Sequence, residues 1–165
     1  LSMLIEMVEK KEKAQILFYL KNIFNELSAL NSLNQHSLYL MQQEIIQVVY
    51  SDLMKHGIQA TKLFHDALSI KIADQAVEST IDMIRWVNYL LEKTFEYEEE
   101  VARVATIIDK INEFIQEHYM DEITRNEIAG QFFLTPSYLA KMYKRKTGIN
   151  LKDYIKEYRI TKAIE

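Results

Sequence analysis

The sequence has no cysteine, one proline and only three glycines among its 165 residues. The absence of cysteine excludes disulfides, thiolate zinc sites and iron–sulfur clusters, and is compatible with a reducing cytosol. Charged residues interrupt every apolar run, so no segment approaches the roughly 18 residues of a membrane span. Three scattered glycines cannot form a glycine-rich phosphate loop. These absences predict a cytoplasmic protein that neither spans a membrane nor binds a nucleotide through such a loop.

What the sequence does contain predicts an all-α fold. A hydrophobic content of 48% and a net charge of −4 favour a folded protein over a disordered one. Leu, Ile, Lys, Glu and Gln are abundant, and strand-like alternation flanked by Asn-Gly or Asp-Gly turns is absent. The length is enough for one domain or two small ones.

Apolar residues at steps of three and four predict four helices in the first two thirds of the chain. The first carries a stripe from Ile16 to Leu30, and the second is expected to begin with Ser37 as its cap and end at Gly57. A shorter helix is expected around residues 63–68, followed by one that begins near Asp74.

From residue 77 to residue 119 the helical pattern has no strong break. The acidic run at 96–100 is either a solvated stretch of one long helix or a frayed junction between two. Charge repulsion weakens a helix by only about a few tenths of a kcal/mol per pair, which does not decide between these two possibilities. Leftover apolar surface on this pattern favours a homodimer through residues 77–119.

Charge divides the chain into two parts. Residues 1–106 hold 10 basic and 15 acidic side chains, whereas residues 107–165 hold 10 basic and 9 acidic ones. Within the second part, residues 141–162 contain eight basic groups against two acidic ones. A local charge of +6 on an acidic protein suggests a surface for a polyanion. We place the boundary between a helical signalling or dimerisation region, 1–103, and a second domain, 104–165.

Local start and stop signals divide the second domain into four helices. Thr124 and Glu127 have the spacing of a capping box, and Gly130 lies near the end of the short helix that they begin. The next helix opens with Thr135-Pro136 and is expected to end at Gly148. Asn150 is the expected cap of the last helix.

A short helix, a tight connection and a second helix with a basic outer face are typical of a helix-turn-helix. The second helix, 135–147, is expected to bury Leu139, Met142 and Tyr143. This leaves cations outward, where those near the helix N-terminus can reach base edges and later ones can neutralise phosphates. A plain solvated basic helix is the alternative that this pattern leaves open.

The residues of this segment resemble the first part of an AraC/XylS-type DNA-binding domain. The matching positions are Ile128-Ala129, Leu134-Thr135-Pro136-Ser137-Tyr138-Leu139, Met142-Tyr143-Lys144, Thr147-Gly148, Tyr154 and Arg159-Ile160-Thr161-Lys162-Ala163. The resemblance implies a transcription regulator that binds double-stranded DNA. It implies base-facing positions at Ser137, Ala140 and Lys141, and backbone-facing ones at Lys144, Arg145 and Lys146. Ala140 could offer a base only a methyl contact.

Residues 1–106 resemble, less specifically, the helical region that precedes such a domain in YesN-like two-component response regulators. The positions concerned are Phe24, Trp86 within residues 82–86, and residues 107–111 at the start of the DNA-binding part. The chain begins at Leu and stops within a helical pattern, so we expect a fragment. It would lack a receiver domain and the second helix-turn-helix, and so hold half a DNA reader.

Other chemistry is poorly supported. His36, His65, Asp66 and Asp109 resemble a helical metal site superficially, but no two histidines share a helical face at i, i+3 or i, i+4. No nucleophile is partnered by a histidine and an acid, so we expect neither an enzyme nor a cofactor or metal. Two functions remain: a sequence-specific DNA-binding regulator, or an all-helical dimerisation or signal-transmission module with no DNA binding of its own.

Overall fold

The computed structural model describes residues 2–165. These residues form nine helices and no strand, which confirms the all-α prediction. The helices are α1 Ser2–Glu9, α2 Lys13–Ala29, α3 Gln35–Lys55, α4 Ala60–Leu63, α5 Ala67–Gln75, α6 Thr80–His118, α7 Arg125–Gln131, α8 Pro136–Thr147 and α9 Leu151–Ile164. Within this described stretch, no helix combines the length and the apolar character that crossing a membrane requires.

The chain divides into two compact units, with the division between Glu99 and Glu100. The first unit contains α1 to α5 and the first half of α6. The second contains the rest of α6 together with α7, α8 and α9. The 39-residue helix α6 therefore contributes residues to both units.

The buried stripe of α2 differs in part from the predicted one. Ile16, Leu20 and Phe24 are buried, at steps of four. Leu30 is 72% exposed, because α2 ends at Ala29 and leaves it outside the helix. The sequence pattern identified the helix but extended its apolar face too far.

Three predicted helix limits need correction. The cap of α3 is Asn34 rather than Ser37, although both residues belong to one capping box in which the Asn34 side chain accepts from Ser37 N. The predicted helix over 63–68 is two helices, separated at Phe64–Asp66, with Asp66 capping α5. Asp74 lies inside α5, and Ser79 Oγ accepts from Asp82 N where α6 begins. Gly57, with φ of 71°, follows α3 as predicted.

The acidic run lies within one helix, so a junction between two helices is excluded. Residues 96–100 are all part of α6. Four of the five side chains are exposed, but Glu98 is buried, with 5% of its surface accessible. The expectation of a solvated acidic stretch is therefore wrong for Glu98.

Candidate nucleic-acid interface

Helix α8 has well-defined ends. Thr135 Oγ1 accepts a hydrogen bond from Tyr138 N at 3.2 Å, and Pro136 occupies the first helical position, where a missing N–H costs nothing. At the other end Gly148 adopts the left-handed conformation, with φ of 81°. Both signals act over a few residues, which is why the sequence predicted them correctly.

One face of α8 is anchored in the core of the second unit. Leu139, Met142 and Tyr143 are buried, as predicted, among apolar residues of α6, α7 and α9. The Tyr143 hydroxyl donates to Asn112 Oδ1 on α6 at 2.7 Å. Burial raises the pKa of Tyr143, so its hydroxyl remains a donor. These contacts fix the rotation of α8 about its axis.

A four-residue turn, 132–135, joins α7 to α8. Leu134 N donates to the Ala129 carbonyl at 2.9 Å, and Ala129 is buried where the two helices pack together. Phe133 takes a left-handed φ of 55°, and its ring is 98% exposed. The capping box predicted at Thr124 and Glu127 is also present, with both of its hydrogen bonds. The pair α7 and α8 thus forms a short helix, a tight turn and a second helix that packs on the first.

Outside the buried face, α8 carries the predicted candidate residues, and all of them except Lys146, which lies beside that face in the last turn, point to the other sides of the helix. Ser137, Lys141, Lys144, Arg145 and Lys146 are exposed, whereas Ala140 is half-buried. None of the four cations forms an ion pair with any residue of the described range 2–165. Lys144 Nζ donates to the Gly148 carbonyl at 3.0 Å and keeps two further N–H donors. The face is accessible and positively charged.

Arg159, counted in the basic patch, has a structural contact that the sequence did not reveal. Its Nε donates to the Tyr119 carbonyl at 2.8 Å, and its second donor nitrogen reaches the Asp121 carbonyl at 2.7 Å. It thereby ties α9 to the residues that directly follow the C-terminal end of α6, whose carbonyls have no partners within a helix. Arg159 and Tyr119 are 40 positions apart, so no local pattern could predict this contact.

A groove of about 1160 Å³ lies beside α8 at Ala140. Ala140 lies on its wall, together with Arg125 and Asn126 of α7 and Lys152 and Lys156 of α9. Sequence reasoning assigned no role to Arg125 or Asn126, since only the packing of α7 beside α8 brings them next to Ala140. The groove extends the polar and basic surface beyond α8.

Glu100 of α6 interacts electrostatically with the basic residues at the C-terminal end of α8. The hydrogen bond from Arg103 lowers the pKa of Glu100, and the positive charges of Lys146 and Arg145 lower it further. Glu100 is therefore ionised at neutral pH and offsets part of the positive potential of Arg145 and Lys146. The sequence assigned Glu100 only to the acidic run.

The structure does not support the metal site considered around His36, His65 and Asp66. Among residues 2–165, neither His36 nor His65 belongs to a group of three potential ligands. Asp66 instead accepts from Ser69 N at 3.0 Å at the start of α5 and pairs with Lys93. The hydrogen bonds from Lys93 and Ser69 hold the pKa of Asp66 far below its usual value.

Three regulators of other organisms are similar to parts of the chain. The uncharacterized HTH-type transcriptional regulator YijO of Escherichia coli is 25% identical over 65 residues, 39% of this chain and 23% of its own. The uncharacterized HTH-type transcriptional regulator YtdP of Bacillus subtilis is 33% identical over 58 residues, 35% of this chain and 8% of its own. An uncharacterized response regulatory protein of Staphylococcus epidermidis is 26% identical over 136 residues, 74% of this chain and 53% of its own.

No protein-family model and no solved structure matches the chain. The chain spans about half the length, or less, of the relatives described above. Their names are those of regulators rather than enzymes, and two of them carry a helix-turn-helix by name. These distant, partial similarities support a relationship to helix-turn-helix transcriptional regulators.

Proposed function

We propose that this chain is part of a sequence-specific transcription regulator of the AraC/XylS type, in which α8 enters the major groove of double-stranded DNA. The observation that carries the proposal is the orientation of α8. Its apolar face is held in the core, and the opposite side presents Lys141, Lys144 and Arg145, while Lys146 is exposed beside the buried face at the end of the helix; none of these cations forms an ion pair within residues 2–165. A helix held in this way presents the same side chains to every duplex that it meets.

The candidate residues divide by their position along α8. Ser137 and Lys141 lie in its first half, from which side chains reach base edges in helix-turn-helix proteins. Lys144, Arg145 and Lys146 form its last turn and suit phosphate contacts. Ala140, on the groove wall, is left with a methyl contact to thymine.

We further propose that the chain is the output part of a response regulator. The similarity to the response regulatory protein of Staphylococcus epidermidis extends over 74% of this chain, and so beyond the length of the second unit. On this proposal, residues 1–103 transmit a signal from a receiver domain to the DNA-binding part.

The roles within α8 can be tested with duplexes that the full chain selects from a random pool. Lys141→Ala is expected to lower the ratio of selected to random binding, since a good base contact is worth about 1–3 kcal/mol of discrimination. Lys144→Ala is expected to weaken binding to both duplexes alike. Lys110→Ala removes an exposed lysine from α6 in the same unit and is the matched control.

Fluorescence anisotropy of labelled duplexes measures these affinities. Equal losses from Lys141→Ala and Lys144→Ala on both duplexes would contradict the assigned roles. A full chain that selects no sequence from the pool would favour the alternative, a helical module that does not read DNA by itself.

A further inference from the structure

Two buried carboxylates and a histidine meet in the first unit, which contains none of the candidate residues of α8. Asp52 lies in the last turn of α3, His56 caps the same helix four positions later, and Glu98 comes from α6. One potential ligand atom from each of the three lies within 4.8 Å of the other two. Asp52 is 4% exposed and Glu98 5% exposed, whereas His56 is exposed.

The buried oxygens of this cluster lack hydrogen-bond partners among residues 2–165. Asp52 Oδ1 and both carboxylate oxygens of Glu98 accept no hydrogen bond. An unpartnered buried carboxylate is costly because it has lost its hydration without gaining a donor. Two such groups side by side call for a positive charge between them.

The positive groups near Glu98 neutralise it only in part. Lys11 Nζ lies 3.3 Å from Glu98 Oε2, and His56 Nδ1 lies 3.7 Å from Glu98 Oε1. Both distances exceed those of a strong charge-assisted hydrogen bond. Lys11 is more than a third exposed and can turn out to solvent, so it does not seal the cluster.

The donor set matches a transition-metal ion. Carboxylate oxygens and an imidazole nitrogen are ligands of Zn²⁺ at about 2.0–2.2 Å, which places ligand atoms of a tetrahedral ion about 3.4 Å apart. The ligand atoms lie at most 4.8 Å apart, so the separations need to shrink by at most about 1.4 Å. The exposed ring of His56 supplies part of that movement, since its one hydrogen bond runs from Nδ1 to the Asp52 carbonyl at 2.9 Å, and small shifts of the two carboxylate side chains supply the rest.

We propose that Asp52, His56 and Glu98 bind one divalent transition-metal ion, with Zn²⁺ as the best match, and that Lys11 leaves Glu98 when the ion binds. The ion links the C-terminal end of α3 to α6 and so stabilises the first unit. This inference does not depend on DNA binding, which is proposed for other residues.

Calorimetric titration of the untagged full chain with Zn²⁺ tests the proposal. The expected result is one saturable ion per chain. At a free Zn²⁺ concentration one hundred times the Kd, the midpoint of thermal unfolding is expected to rise by about 5–10 °C, and a chelator is expected to reverse the rise. The absence of saturable binding would overturn the proposal.

Variants locate the ion. His56→Ala, at an exposed position, and Glu98→Gln, which keeps the side-chain shape, are each expected to weaken Zn²⁺ binding at least tenfold, since each loses a ligand. His36→Ala removes an exposed histidine from the same helix and is the matched control, with no expected effect. Binding that is unchanged in His56→Ala and Glu98→Gln, or that is lost in His36→Ala, would assign the ion to another place and overturn the proposal.

The displacement of Lys11 gives a test of opposite sign. Lys11→Met keeps an unbranched side chain, one atom shorter, but removes the charge that competes with the ion, so Zn²⁺ is expected to bind several times more tightly. Weaker binding by Lys11→Met would contradict the proposed displacement. This variant leaves all three ligands in place, so its result does not depend on damage to them.

Discussion

At the scale of single residues, positive φ angles determine where this chain can turn. Gly57 and Gly148 take such angles at the ends of α3 and α8, and Lys11, Asn31 and Phe133 take them without being glycine. Glycine reaches this region without a steric penalty, whereas a side chain with a Cβ is strained there by about 1–2 kcal/mol. The identity of a single residue can therefore decide the stability of a helix end.

Gly148→Ala is expected to destabilise the protein by about 1–2 kcal/mol. A Cβ at Gly148 would meet no atom within 4 Å, so the cost comes from the backbone conformation alone. Gly130→Ala is the matched control, because Gly130 also has open space around it but lies inside α7 without a positive φ. It is expected to stabilise by about 0.5–1 kcal/mol. Urea unfolding of both variants measures the difference, and shifts of the same sign would contradict this account.

Tyr143→Phe is expected to cost about 0.5–1.5 kcal/mol at neutral pH, because it removes the hydrogen bond to Asn112. Burial raises the pKa of Tyr143, so the folded state favours the neutral phenol. The corresponding stability is present below the ordinary tyrosine pKa of about 10 and is lost as the pH rises above it. Unfolding measured across alkaline pH should therefore give a shallower loss for Tyr143→Phe than for the wild type. Parallel curves would contradict the role of this hydroxyl.

At the scale of helices, the signals that the sequence reveals are those that act over about four residues. The capping box at Thr124, the Thr135-Pro136 start of α8 and its stop at Gly148 were all predicted correctly. The break before α6 was predicted too early, ahead of Asp74, because residues 76–79 contain neither glycine nor proline to mark it. The caps could be predicted because each depends on its own neighbours, whereas the position of this break depends on packing.

The candidate DNA-binding residues also include some features that depend on local sequence and others that depend on packing. The exposure of Lys141 and Arg145 follows from the spacing of the buried residues on α8, and the sequence predicted it. The groove beside Ala140 is lined by three different helices, and Arg159 contacts the residues that follow α6, about 40 positions earlier in the chain. The burial of Glu98 is a further case, since nothing in the acidic run distinguishes it from its neighbours.

Arg159→Gln is expected to destabilise the second unit by about 1.5 kcal/mol, at the lower end for hydrogen bonds from a charged donor, because Arg159 is exposed. The salt dependence of DNA binding is expected to stay unchanged, since both donors already bind backbone carbonyls. Lys162→Gln, on the same helix, breaks a surface pair with Glu165 and an exposed cation–π contact with Tyr158, and should cost less than about 1 kcal/mol. Equal unfolding midpoints for the two variants would contradict the assigned role of Arg159.

At the scale of the whole molecule, the apolar surface of α6 bears on self-association. Most of its large apolar residues are buried within this chain, and the exposed ones are Ile81 and Tyr97. The leftover surface that favoured a homodimer through residues 77–119 is thus smaller than the sequence pattern indicated. Pairing through α6 stays a prediction, and we expect it to be weak.

Sedimentation velocity over a concentration series checks that prediction. A weak dimer should give a sedimentation coefficient that rises with concentration, and Ile81→Glu should shift the equilibrium to monomer. Met120→Glu is the control, as Met120 is exposed and lies outside residues 77–119. A wild-type protein that stays monomeric at every concentration would contradict the predicted dimer.

The central claim is that the outer face of α8 binds the phosphate backbone and bases of duplex DNA. The most direct test is the salt dependence of DNA binding by the full chain, compared with a variant that carries Lys141→Ala, Lys144→Ala and Arg145→Ala together. About four neutralised phosphates predict a log–log slope near −4 for the wild type, and the variant should flatten it by about two units, because Lys144 and Arg145 are the phosphate contacts among its three changes. A slope near zero for the wild type, or the same slope for both proteins, would contradict the claim.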